Sequence, residues 1–209
     1  MDLLQNQALS VVFFPEKNVN HETLFSLFDF FRKKAAGNIQ FNNTFPLGVP
    51  APFPLISANI GGWQITVNGQ RIDFLCNNME CFSLDKQKSF ILAIFDSCFL
   101  NKINRLGLVS QFKCKDITLS RFLNPNWVKN RELNSLAYVN RINENDISLY
   151  DNIQILKNNN LEFPYICVRD LNTGKLPSCF DRGYLEKAIQ IANEKFSLKS
   201  IGEELYGER

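Results

Sequence analysis

Trp63-Gln64-Ile65-Thr66-Val67-Asn68-Gly69-Gln70-Arg71-Ile72-Asp73-Phe74 is the stretch that decides the fold. Asn68-Gly69 is a strong short hairpin signal, because a type I′ turn needs positive φ at both central residues. A tight turn there places Ile65 opposite Ile72 and Trp63 opposite Phe74 on one face. Gln64 then falls opposite Asp73, and Thr66 opposite Arg71, on the other. One face is apolar and the other polar, as a half-buried antiparallel pair requires.

Working outward, Leu55 to Ile60 reads as a strand that enters the hairpin through Gly61-Gly62. On the far side, Ser83 is placed to cap a helix over Leu84 to Lys102. Asp85 suits its N-terminus, and Ile91, Ile94, Phe95 and Cys98 form its buried stripe. Arg105 to Phe112 follows as a strand, with Gly107 marking a bulge or a close backbone approach.

Before the hairpin, Ala8 to Phe14 is a strand of β-formers stopped by Pro15. Asn20 caps a helix over His21 to Lys34, in which Leu24, Leu27, Phe28 and Phe31 make one apolar stripe. Asn38 to Pro54 carries Pro46, Pro50, Pro52 and Pro54, which forbid a helix and disfavour a central strand. It reads as a long, partly extended loop, a kind of segment that is often functional.

In the second half, Ile117 to Trp127 reads as a short helix and turn. Leu133 to Asn143, Ile147 to Lys157 and Phe163 to Asp170 read as strands. Asp181 caps a helix with Leu185, Ala188, Ile189, Ala192 and Phe196 at helical spacing. The expected class is α+β: a mostly antiparallel sheet with helices packed on one face. The expected organisation is a single domain over 1–209, with 116–132 as the place where it would divide into two strand-helix halves.

Composition is that of a globular protein able to bury a core: 45% hydrophobic, 21% charged, with 19 Phe. A formal net charge of +2 is too small to imply nucleic acid by itself. The start of the chain lacks a basic n-region, and no apolar run approaches a membrane span, so the expected location is cytoplasmic, off the membrane. The 6 cysteines are scattered without a C-x-x-C, which predicts reduced and mostly buried thiols.

His21 is the only histidine, so any histidine-based catalysis must pass through it. Its place at a helix start, beside Glu22, is more simply an exposed helix terminus. Dinucleotide, P-loop and zincin motifs lack their residues, and no carboxylate pair has metal spacing. No metal and no cofactor is therefore expected. Arg71, Arg105 and Arg141 sit in or beside strands, where clustered guanidinium groups would present planar forks to a carboxylate or phosphate. The simpler reading pairs Arg71 with Asp73 and leaves strand-edge arginines in solvent. Asp116, Asp146, Asp151, Asp170 and Asp181 read mostly as turn or cap residues. Trp127, beside a loop, is the aromatic most expected on a partner-facing surface.

Trp63-Gln64-Ile65-x-Val67, Arg71-Ile72-Asp73-Phe74, Arg105-Leu106-Gly107-Leu108 and Val139-Asn140-Arg141-Ile142-Asn143 together resemble a sporadically distributed group of uncharacterised bacterial proteins. Some of that group look like mobile-element or defence-associated genes. The resemblance spans roughly residues 55 to 206 and carries over no catalytic residue. It implies an α+β accessory or regulatory role. The function expected is thus a non-enzymatic binding protein, a regulatory or accessory subunit of a bacterial complex, anti-phage defence included. Its partner-binding residues would be Arg71, Arg105, Trp127 and Arg141, helped by the Pro46–Pro54 loop. The alternative is an RNA- or DNA-binding or processing protein that uses the same sheet-face arginines, with His21 as base.

Overall fold

Two long strands, β1 (Leu4–Pro15) and β6 (Ile103–Cys114), run side by side through the middle of one antiparallel sheet. The computed structural model describes residues 3–34, 39–41, 54–76, 84–97, 102–117, 122, 135–144 and 146–207. Its other elements are α1 (His21–Lys34), β2 (Ile39–Phe41), β3 (Ile56–Ile60), β4 (Trp63–Val67), β5 (Ile72–Cys76), α2 (Leu84–Ser97), β7 (Ser135–Glu144), β8 (Ile147–Lys157), β9 (Tyr165–Asn172), α3 (Arg182–Lys195) and α4 (Leu198–Tyr206). The sheet has 9 strands in the order β2-β3-β4-β5-β1-β6-β9-β8-β7. The fold is α+β.

Period-two alternation gives β1, β3, β4, β5, β6, β8 and β9 a buried side. Leu9, Val11 and Phe13 of β1, Leu106, Leu108 and Phe112 of β6, and Leu149, Ile153 and Ile155 of β8 are all buried. The helices cover this side. Phe13 meets Phe74 of β5 and Phe95 of α2 edge-on, with ring centroids 5.7 and 5.8 Å away. Trp63 donates from Nε1 to Gln87 of α2 at 2.9 Å and stacks on Phe90. α1 contributes Leu24, Leu27 and Phe31 from its apolar stripe to the same core. Among the described residues no helix lies on the other side.

The hairpin keeps its faces but not its expected register. Val67 pairs with Ile72 and Ile65 with Phe74, so Asn68–Arg71 form the loop. The shift is an even number of residues, which is why Trp63, Ile65, Ile72 and Phe74 still share the buried side. Neither Asn68 nor Gly69 takes a positive φ. Instead the Asn68 Oδ1 accepts the backbone N–H groups of Gln70 and Arg71, both at 2.9 Å, and organises a longer loop. The tight turn with positive φ is one strand earlier, at Gly61 (56°) and Gly62 (86°), where Ile60 pairs with Trp63. β1 and β6, the two longest strands at 12 residues each, hold the middle of the sheet, and the hairpin lies to one side of them.

Other expectations are corrected by the same sheet. Ile39–Phe41 is a strand pairing with β3, inside what reads from sequence as a loop. Gly107 is no bulge: it pairs directly with Val12, and the register shifts of β1 against β6 fall at Asn6/Ala8 and Phe14/Pro15. Asp151 and Asp170 are strand residues, on β8 and β9, whereas Asp181 does cap α3 by accepting from the Tyr184 N–H at 2.8 Å. Ser83, Cys81, Cys98, Trp127 and most of the Pro46–Pro54 loop lie outside the described residues.

Several buried polar groups on the helix side are paired, whereas the Thr23 and Ser110 hydroxyls have no hydrogen-bond partner among the described residues. Arg169 grips Asp151 in a fork, Nε to Oδ1 at 2.9 Å and a terminal nitrogen to Oδ2 at 2.6 Å. Its other terminal nitrogen donates to the carbonyl of Lys195 at 3.1 Å, the last residue of α3, where the helix dipole favours a cation. Tyr138 of β7 donates to Glu204 of α4 at 2.7 Å. Cys76, Cys114 and Cys167 are buried thiols; a hydrogen bond with Cys114 and burial push the Cys167 thiol up.

Candidate functional site: the helix-free face of the sheet

Strand register places the polar residues of the uncovered side in rows. Asp73, Val12, Gly107, Asn172, Tyr150 and Arg141 form one row running from β5 to β7. The next row holds Ser10, Val109, Asp170, Asn152 and Val139. On the other flank Phe14 pairs with Arg105. Arg71, in the loop next to Ile72, reaches back to this side through its Nε–Asp73 Oδ2 ion pair of 2.8 Å.

The arginines expected at a binding site therefore share one face. They do not share one cleft. Arg105 lies two strands from the hairpin and Arg141 three strands further, about 10 and 14 Å at ordinary strand spacing. Each guanidinium already has a local seat. Arg105 sits over the Phe14 ring, 4.6 Å from its centroid. Arg141 donates from Nε to Ser148 Oγ at 2.9 Å, and its guanidinium carbon is 5.8 Å from the Tyr150 centroid. Planar cations held against rings keep their outer edges available for a second acceptor.

Between the two arginines lies a group that sequence reasoning missed. The Asp170 carboxylate accepts from Asn172 at 3.1 Å and from Asn152 at 3.4 Å. Burial pushes this carboxyl up, while the two carboxamides and the Arg105 charge pull it back. Tyr150, 42% exposed, lies across Gly174, whose φ is +63° and where a Cβ would stand 3.0 Å from the ring. The signal that finds these residues is the alternation of β8 and β9, since Tyr150, Asn152, Asp170 and Asn172 all fall on their polar parity.

His21 is exposed on α1, on the helix side of the sheet, and does not join the arginines. Among the described residues no nucleophile and base are brought together on the uncovered face: Ser148 accepts from Arg141, and Asp170 from two carboxamides. Among the described residues no group of three His, Cys, Asp or Glu gathers as a metal site, and no helix is long and apolar enough to cross a membrane. The arrangement offers recognition chemistry, namely guanidinium forks, carboxamides, a carboxylate and one exposed ring. Neither the protein-family models nor the curated proteins contain a match to this sequence.

Proposed function

We propose that the chain is a non-enzymatic binding protein, an accessory or regulatory subunit of a bacterial complex, and that it holds a partner protein on the helix-free face. The observation that carries this is the seating of Arg105 on Phe14 and of Arg141 beside Tyr150 on one side, with His21 on the other. Guanidinium groups fixed in this way lose little side-chain freedom on meeting a carboxylate, so acidic side chains of a partner suit them. A single-stranded nucleic acid would need free ring faces as stacking platforms. The Phe14 ring already carries a guanidinium, which favours the protein reading over the nucleic-acid one. An anti-phage setting rests on the family resemblance alone and belongs to this proposal.

The test is a pull-down from the native host with nuclease treatment, comparing the wild type with an Arg105→Glu/Arg141→Glu variant. A specific protein that survives nuclease and is lost with the variant is the expected result. Recovery of nucleic acid alone, with affinity falling steeply as salt rises, would sink the proposal.

A further inference from the structure

Four positions of the helix-free face fall at one level across the neighbouring strands β1, β6, β9 and β8. Phe14 of β1 pairs with Arg105 of β6. The chain leaving β9 continues along β6, with the Thr173 N–H donating to Leu106 and the Leu176 N–H to Asn104, which sets Gly174 beside Arg105. Asn172 pairs with Tyr150, and that register brings Ser148 of β8 level with Gly174. Both guanidinium groups come to this level. Arg105 lies over the Phe14 ring, 4.6 Å from its centroid, and Arg141 reaches back from β7 to Ser148 Oγ at 2.9 Å. Between them the Tyr150 ring rests on Gly174, where a Cβ would stand 3.0 Å from Cε2, so only glycine leaves the ring this seat. Arg105 and Arg141 are exposed and Tyr150 is 42% exposed. The result is a row of cation, ring and cation.

We propose that this row receives an extended acidic segment of a partner protein, crossing the strands, with two carboxylates four residues apart and an apolar residue midway. The inference rests on the partner-binding reading above and names the segment that such a partner would present. The seats at Phe14 and Ser148 are three strand spacings apart, about 14 Å. An extended chain advances about 3.4 Å per residue and covers that distance in four residues. Its period of two keeps residues i, i+2 and i+4 on one side, so the end carboxylates meet the two guanidinium groups while the middle residue meets the Tyr150 ring. A helix matches the spacing less well. Carboxylates on one helical face recur at i+7 and i+11, about 10.5 and 16.5 Å apart, one too short and the other too long. Guanidinium groups already seated by Phe14 and Ser148 keep a planar edge for a carboxylate. The face's own carboxylate, Asp170, is held by Asn172 and Asn152 and lies further along β9, outside the row.

The experiment is an NMR titration of the isotopically labelled 209-residue chain with the peptide Ser-Glu-Ser-Leu-Ser-Glu-Ser. The comparison peptides carry their two Glu residues two or six apart, stand as a helix former with Glu at i and i+7, or replace both Glu by Gln. The first peptide is expected to shift the signals of Arg105, Ser148, Tyr150 and Gly174 and to bind about tenfold more tightly than the Gln analogue, as two exposed ion pairs allow. Arg105→Gln or Arg141→Gln should each remove most of that advantage. Arg141→Glu should weaken the Glu–Glu peptide and favour one in which a single Glu is replaced by Lys. Both positions are exposed, and circular dichroism checks that each variant folds. The spacing series on the wild type needs no variant and decides the matter if one fails that check. Equal affinity at every spacing, preference for the helical peptide, or displacement of the peptide by oligothymidylate would overturn the proposal. If no peptide binds while a host protein is still captured through both arginines, the extended segment is wrong and the partner-binding reading stands. If neither binds, both fall.

Discussion

At the scale of single residues, the buried side holds two different kinds of contact. Trp63 is 1% exposed, hydrogen-bonded to Gln87 and stacked on Phe90. Trp63→Ala should therefore cost about 3 to 5 kcal/mol by cavity formation and lost transfer energy; a melting temperature unchanged by the substitution would contradict the assigned faces. Asp151 and Arg169 are a buried bidentate pair, and Asp151→Ala would leave a guanidinium uncompensated, at a cost of about 3 to 5 kcal/mol. Denaturant titration measures both. Asp170 makes stability depend on pH. Burial raises its folded pKa above the unfolded 3.8, so folding takes up protons. The stability this brings is fully present below 3.8 and is lost as pH rises through the folded value. Apart from a constant offset for altered hydrogen bonds, Asp170→Asn should gain on the wild type as pH rises through that window. A melting-temperature difference flat across the window would remove the assignment.

At the scale of elements, the turn between β3 and β4 and the loop between β4 and β5 do different jobs. Gly61 and Gly62 both take positive φ, a backbone state that penalises a side chain by roughly 1 to 2 kcal/mol per residue. Gly69 does not, and a Cβ there meets nothing within 4 Å. Gly61→Ala is thus expected to destabilise the protein where Gly69→Ala leaves it nearly unchanged. Equal effects in thermal unfolding would restore the tight turn to Asn68-Gly69. The reason that Asn68-Gly69 gives way is visible in its contacts. The Asn68 carboxamide holds two loop amides, and the Gly69 carbonyl accepts from the Val19 N–H at 2.8 Å. Asn-Gly fits more than one loop, and a tie to the β1–α1 connection selects the longer one.

For the whole molecule, one sheet and one core run from β3 to β8. The buried hydrophobic residues of α1, α2, α3 and α4 and of these strands form a single cluster. Heating is accordingly expected to give one cooperative transition by calorimetry. Two separated transitions would instead divide the chain near 116–132, where the sequence has its one candidate boundary.

The sequence by itself determined the class and the faces. Alternation in Trp63–Val67 and Ile72–Cys76, stripes in His21–Lys34 and Arg182–Lys195, and the Asp181 cap are local signals that tertiary packing had no reason to override. Three things were decided only by the tertiary structure. Which strands are central depends on non-local pairing between β1 and β6, for which no local residue pattern encodes the neighbour. The loop at Asn68 depends on a hydrogen bond from Val19, distant in sequence. The composition of the helix-free face depends on register across several strands at once. That register sets Asn172 beside Tyr150 and Tyr150 beside Arg141, and leaves His21 on the other side, because side-chain parity is fixed within a strand while adjacency is fixed only between strands.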